Sequence, residues 1–260
     1  MNTKTAKQIV NGYKLKLALV VLLYIIGIAV CIFLATKVLF LGLSMILVLA
    51  VSLKAPFEKL RESEIESIVY EDLDPEKFNE VLALGVLKNS MRHKMLYLMS
   101  TGKHDEILAL VKESEEKTQH PVDKCNNLYR EGYVYFERGE YDKLPNVVRR
   151  YARLKSDNAK IQYVLNNFTV FDKFDAFSDD DYEYVVDVCD IDLKEINPKK
   201  QNHKLTRINV SFYRAVSLYK LGRMDEAKQG FEDIINFAPK MYKAKLAKDF
   251  IDLIENTEKE

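Results

Sequence analysis

Residues 17–53 read LALVVLLYIIGIAVCIFLATKVLFLGLSMILVLAVSL, with Lys37 their single charge. As one helix this run would extend about 55 Å at ~1.5 Å per residue. A bilayer's hydrocarbon core is only about 30 Å thick. The run is therefore too long for one crossing and suits two. The expected spans are residues 17–35 and 38–53, with Thr36 and Lys37 at the tip of a tight hairpin. The second span reaches only about 24 Å, which calls for local thinning and for flanking lysines that snorkel to the headgroups. Lys37 and Lys54 stand where such membrane anchors are needed. A cleaved signal peptide would have a shorter apolar core and a small-residue cleavage site, and no second apolar segment would follow at once. A buried soluble hairpin would need apolar surroundings that the rest of the chain lacks.

Lysine placement sets the expected orientation. Lys4, Lys7, Lys14 and Lys16 precede the first segment, and Lys54, Lys59 and Arg61 follow the second. Both ends, and the large domain after them, are thus expected on the cytoplasmic side. A single crossing would put that domain outside instead. The three cysteines, Cys31, Cys125 and Cys189, form no dense framework of the kind exported small domains use. The formal charge is zero overall, yet residues 1–53 hold five lysines and no acids, which leaves the remainder net acidic. A basic membrane-proximal end suits an anionic leaflet. An acidic body suits nucleic acid poorly, because phosphate contacts demand concentrated positive charge.

From about residue 57 onward the apolar positions recur at helical spacing, and strand signals are weak. The expected fold is all-α: a two-helix transmembrane hairpin, a linking helix over residues 54–74, then a helical domain over 75–257. Asp74-Pro75 and His120-Pro121 read as helix starts. Asn197-Pro198 and Ala238-Pro239 read as stops. Three segments share one turn pattern: LYLMSTGKHDEILALV from Leu96, YVYFERGEYDKLPNVV from Tyr133 and VSLYKLGRMDEAKQGF from Val216. Each reads as helix, glycine turn, helix, with Gly102, Gly139 and Gly222 free to take the left-handed conformation. The residue two places on, His104, Tyr141 or Met224, is placed to lean back on the preceding helix.

This pattern resembles the tetratricopeptide repeat family. The third unit carries Ala227 at the small position, Phe231 at the large one and the closing Pro239, with Ala215 and Leu218 in its first helix. The second supplies Gly132 and Tyr135 at the family's glycine and aromatic positions, but has Leu144 where a small residue belongs. The first is weaker, with Met95, Leu98 and Ile107. Gly139 and Gly222 stand about two repeat lengths apart, since one repeat is about 34 residues. A fourth, degenerate unit fits between them, with one helix over 159–174 and another after Ser178 that buries Tyr182, Val185, Val186 and Val188. A helix over 241–254 would cap the stack. Another kind of helical array would satisfy the same glycine turns. The resemblance implies stacked helix pairs, a concave groove, and binding of a protein or peptide partner.

Chemistry is sparse. There is no phosphate-binding glycine loop, dinucleotide fingerprint, nucleophile elbow or kinase set, and neither HExxH nor CxxC occurs. No cofactor, metal or catalytic residue is assigned. His93 and His104 could share a ligand across one hairpin, but turn packing or exposure is the plainer role. Asp179-Asp180-Asp181 with Glu183 lacks calcium-loop spacing. It reads as the first turn of a helix capped by Ser178. Arg149, Arg150, Arg153 and Lys155 form one basic cluster, and Lys199, Lys200, Lys204 and Arg207 another. Either could meet a carboxylate or an anionic lipid. Tyr129, Tyr133 and Tyr135 are candidate groove residues, and Arg149, Arg150 and Arg153 are candidate partner contacts. The expected function is a non-enzymatic membrane adaptor. The alternative is an accessory subunit acting through its hairpin, with Gly27 and Gly42 as close-packing points. A third reading, an enzyme with an unfamiliar site, requires a cluster of coupled titratable residues.

Overall fold

The computed structural model describes residues 4–36, 39–52, 54–87, 90–200 and 202–257. Those residues are all-helical, without strands, and divide into two compact units, residues 1–90 and 91–260.

In the first unit, α1 (Ala6–Ala35) starts well before the apolar run. Thr5 caps it: its hydroxyl accepts from the Gln8 N–H at 3.3 Å, and its own N–H donates to the Gln8 side chain at 2.9 Å. Ala6, Ile9, Val10 and Tyr13 are buried at helical one-face spacing. They belong to the part of the unit where α1 packs against α3 (Lys54–Arg61), the π-turn Glu62–Glu66 and α5 (Pro75–Ala83). Beyond Lys14 the same helix is open. Leu15, Leu19, Leu23, Ile26 and Phe33 are exposed, and Cys31 is the one buried residue. That open stretch is about 31 Å long, the thickness of a hydrocarbon core. Among the described residues, α1 is the one helix long and apolar enough to cross a membrane.

The second apolar segment forms α2 (Leu39–Ser52), about 21 Å of helix and short of a full crossing. It packs along α1, with Leu49 over Gly27 and the Tyr24 hydroxyl 3.4 Å from that of Ser52. Lys37 and the Lys54 side chain lie outside the described residues, so their anchoring role is not located. Lys16 pairs with Glu64 of the π-turn. After α4 (Ser67–Tyr70), Asp74 caps α5 by accepting the Lys77 N–H at 3.1 Å, and Pro75 takes the first turn as expected. Helix α5 buries Phe78 and Val81 and packs on α1 and α4, so it belongs to this unit, although its sequence grouped it with the repeats.

The second unit is a run of paired helices: α6 (Met91–Thr101) with α7 (His104–Lys117), α8 (Pro121–Glu137) with the short α9 (Leu144–Ala152), then α10 (Ala159–Asn166). Next come α11 (Val170–Ser178) with α12 (Tyr182–Glu195), α13 (His203–Lys220) with α14 (Met224–Phe237), and finally α15 (Tyr242–Thr257). The three glycine turns are built alike. Gly102, Gly139 and Gly222 have φ of 68°, 70° and 74°. The next N–H reaches back to Leu98, Tyr135 or Leu218 at 3.0, 2.9 and 3.0 Å, the six-to-one bond of a left-handed helix stop.

A fourth turn has the same geometry without glycine. Asp180 has φ 58°, and the Asp181 N–H donates to the Ala176 carbonyl at 2.8 Å. The acidic run is therefore the turn of a helix pair, not the first turn of a helix capped by Ser178. Ser178 ends α11, its hydroxyl bonded to the Phe174 carbonyl, and Asp181 caps α12 by accepting the Tyr184 N–H. The single helix expected over 159–174 breaks in two. Asn167 ends α10, and its side-chain amide donates to the Tyr163 carbonyl at 2.6 Å. The helices expected after Ser178 and over 241–254 are present as α12 and α15.

Aromatic rings fill the centre. Phe136 meets Tyr213 at 4.5 Å, Phe177 at 4.8 Å and Tyr141 at 5.6 Å between centroids. Gly132 admits the Phe174 ring, which a Cβ there would approach to 2.5 Å. Ala215, Leu218, Ala227 and Phe231 are buried between α13 and its neighbours, Tyr135 is half-buried, and Pro239 lies exposed just past α14.

These turns differ in what surrounds them, and alanine substitution separates the effects. Nothing lies within 4 Å of a Cβ at Gly139 or Gly222. Alanine at either site should cost about 1–2 kcal/mol, the backbone penalty alone. At Gly102 the Tyr242 ring occupies the Cβ position. Gly102→Ala should therefore lower the thermal midpoint of the detergent-solubilised chain more than Gly139→Ala does, measured by far-UV circular dichroism.

Candidate functional site

Helix α8 carries a stripe at four-residue spacing, Tyr129, Tyr133 and Glu137. Tyr133 and Glu137 are buried, and Tyr129 is half-buried. A carboxylate with no exposed side-chain surface needs partners. Two other helices supply them, the preceding α7 and the distant α15. His104, first residue of α7, places Nε2 2.8 Å from Glu137 Oε2. Lys243, in the first turn of α15, donates to Oε1. The Lys243 ammonium also donates to the Tyr133 hydroxyl at 3.2 Å, and that hydroxyl donates to the Met99 carbonyl at 3.1 Å. Tyr242 lies over Gly102 with its ring edge-on to His104 at 5.3 Å. Outside this knot, Arg138 reaches Asp105 at 2.6 Å.

Burial pushes the Glu137 carboxyl up, but the Lys243 charge and the hydrogen bonds from His104 and Lys243 outweigh it and hold it below the usual range. Burial likewise pulls the Lys243 ammonium down, against the pull of Glu137. Burial raises the phenols of Tyr133 and Tyr213 well above their ordinary value and that of Tyr129 to about 12. Glu137 and Lys243 form the ion pair of the knot, and His104 is hydrogen-bonded to the other carboxylate oxygen. This is the coupled titratable cluster an enzyme reading would need. Its acid and its lysine are nevertheless sealed, with side chains 0% and 5% exposed, so no substrate atom reaches them in this arrangement.

The sequence-named contact residues fall into two groups. Tyr133 sits inside the knot, 4% exposed, and offers a partner no surface. Arg150 is tied on both sides, to Glu131 at 2.7 Å and to Glu115. Arg149 and Arg153 are exposed. Arg153 lines an open cleft of about 300 Å³ with Lys124, Leu128, Leu154 and the Arg150–Glu115 pair. In the second basic cluster, Arg207 lies over the Phe237 ring at 5.5 Å and borders a cleft of about 430 Å³ with Asp233 and Asn236. Among the described residues, no group of three or more His, Cys, Asp or Glu is arranged to hold a metal ion. The buried Cys125 and Cys189 thiols are pushed up to about 12 by burial.

Glu137 and Lys243 were not singled out in the sequence, yet each left a trace. Glu137 occupies the apolar stripe of α8, and Lys243 lies among Met241, Ala244 and Ala247, all buried. A charge on the buried face of an amphipathic helix is the signal; its partner is not readable without the fold. No family model, no curated protein and no solved structure matches this chain.

Removing one member of a buried ion pair strands the other. Lys243→Met should cost about 3–5 kcal/mol, and adding Glu137→Leu should restore most of it, read as thermal midpoints of the full chain in detergent. The acid limb follows from Glu137. A carboxyl held below its ordinary value contributes stability that is complete above about pH 4.5 and lost as the pH falls through its folded value. Glu137→Gln should flatten the midpoint's dependence on pH below that range, while the wild type keeps it.

Proposed function

We propose that this chain is a membrane-anchored, non-enzymatic adaptor. An N-terminal transmembrane hairpin would hold a solenoid of tetratricopeptide-like helix pairs at the cytoplasmic membrane surface, where it binds a protein or peptide partner. The observation that carries this reading is the change along α1. Its first turns are packed, and from Leu15 to Phe33 the same continuous helix turns large apolar side chains outward. Water does not tolerate such a surface on a monomer, whereas lipid does. The lysines of the first sixteen residues favour a cytoplasmic start. The four matching helix turns favour the repeat reading, because one turn geometry recurs at four helix pairs. The exposed Arg149 and Arg153 are the contact residues this reading retains.

An accessory-subunit role through the hairpin keeps two observations in its favour. Leu49 packs at Gly27, and a hydroxyl pair joins Tyr24 and Ser52 within the apolar region.

Crosslinking of the tagged protein in native membranes tests the proposal. A discrete partner should be captured, and Arg149→Glu with Arg153→Glu should cut its yield at least several-fold while the anchor stays intact. Capture that survives those changes but disappears when the hairpin is exchanged for an unrelated anchor would move the activity into the bilayer.

A further inference from the structure

Lys243 is held as a ligand is held. Its ammonium pairs with Glu137, donates to the Tyr133 hydroxyl at 3.2 Å, and lies 4.3 Å from the Tyr133 ring centroid and 5.1 Å from that of Phe212. An anion, a hydroxyl acceptor and two ring faces are what a desolvated primary ammonium needs. The walls belong to α8 and α13, and His104 of α7 steadies the far oxygen of the carboxylate. Tyr242, one residue earlier, fits the floor left by Gly102. The site therefore reads an aromatic side chain followed by a lysine.

The helix that donates this pair gains nothing locally from it. Tyr242 and Lys243 occupy the first turn of α15, where the helix dipole opposes a cation. The rest of α15 is secured elsewhere, on α14 and α13, with Phe250 stacked 4.9 Å from Phe231. The occupant and its helix are thus held by separate contacts.

We propose that Glu137, Tyr133, Phe212, His104 and Gly102 form an ammonium-binding site for an aromatic–lysine element. Tyr242 and Lys243 fill it from within the chain, and a lysine-bearing partner segment takes it when the first turn of α15 lifts. Only the second occupant rests on the adaptor reading. The selectivity of the site for an ammonium group does not.

The test uses the full chain in detergent and the Lys243→Ala variant, with n-butylammonium as probe and n-butanol as its neutral counterpart. Butylammonium at tens of millimolar should raise the variant's thermal midpoint by several degrees, or permit it to fold. Butanol should not, and neither wild type nor Glu137→Gln/Lys243→Ala should respond. Equal effects of the two probes, rescue that persists in the double variant, or a Lys243→Ala chain that stays unfolded with butylammonium while the double variant folds would each overturn the site. A labelled peptide of residues 240–257 then tests occupancy from outside. It should bind Lys243→Ala at least tenfold more tightly than wild type, and lose that advantage when Lys243 within the peptide, one of its four lysines, becomes alanine. Equal binding to both proteins would overturn the partner's place in the site. Membrane crosslinking separates this from the adaptor reading: a partner still captured by Lys243→Ala/Glu137→Gln docks elsewhere, leaving the adaptor reading intact and this proposal refuted.

Discussion

The second unit depends on one buried carboxylate. The Glu137 side chain has no exposed surface, so its charge must be met by the protein, and the groups that meet it come from α7 and α15. Each requirement constrains the next. Tyr242 must lie over residue 102, which must then be glycine. Tyr133 must turn its hydroxyl toward both Lys243 and the Met99 carbonyl, and so cannot face solvent. A buried pair of this kind is weak evidence for net stability, since two well-packed apolar side chains could do as well. Its effect is to single out one placement of α15 among the many that an apolar face alone would accept.

How far the fold could be read from the chain follows from the range of each interaction. The glycine turns, the Asp74 cap and the proline stops are local: a few adjacent residues satisfy the backbone, so their identities announce them. The Asp179–Asp181 turn is equally local, yet its residues also suit a helix start, and only the φ of Asp180 decides between them. The break at Asn167 has the same ambiguity, because a side-chain amide competes with the backbone for one carbonyl. The knot was hidden for a different reason. Its members are separated by 33 and 106 residues, and no local pattern links them. Tyr133 is buried rather than open to a groove: an aromatic on a helix face looks the same whether a partner or a lysine of its own chain covers it.

The first unit shows a boundary inside a single helix. Up to Tyr13, α1 is an amphipathic helix with one packed face. Past Lys14 most of its large apolar side chains are exposed, apart from the face on which α2 packs. The apolar run made the second zone plain. The first stayed unnoticed because four buried residues among lysines and polar groups carry little hydropathy. Lys16 marks the junction, bonded sideways to Glu64 of the π-turn.

The distance along the chain between Glu137 and Lys243 gives the helix pairs an unusual cooperativity. In an open array each repeat touches only its neighbours, and the ends fray independently. Here the chain from α8 to α15 is a loop fastened at both ends, and the closing contact forms only when every intervening pair is in register. A lesion in α11 or α12, far from the knot, would therefore loosen the first turn of α15 as surely as a change at the knot itself. Native-state exchange in α6 and α15 would then rise and fall together, as if the two were adjacent in sequence.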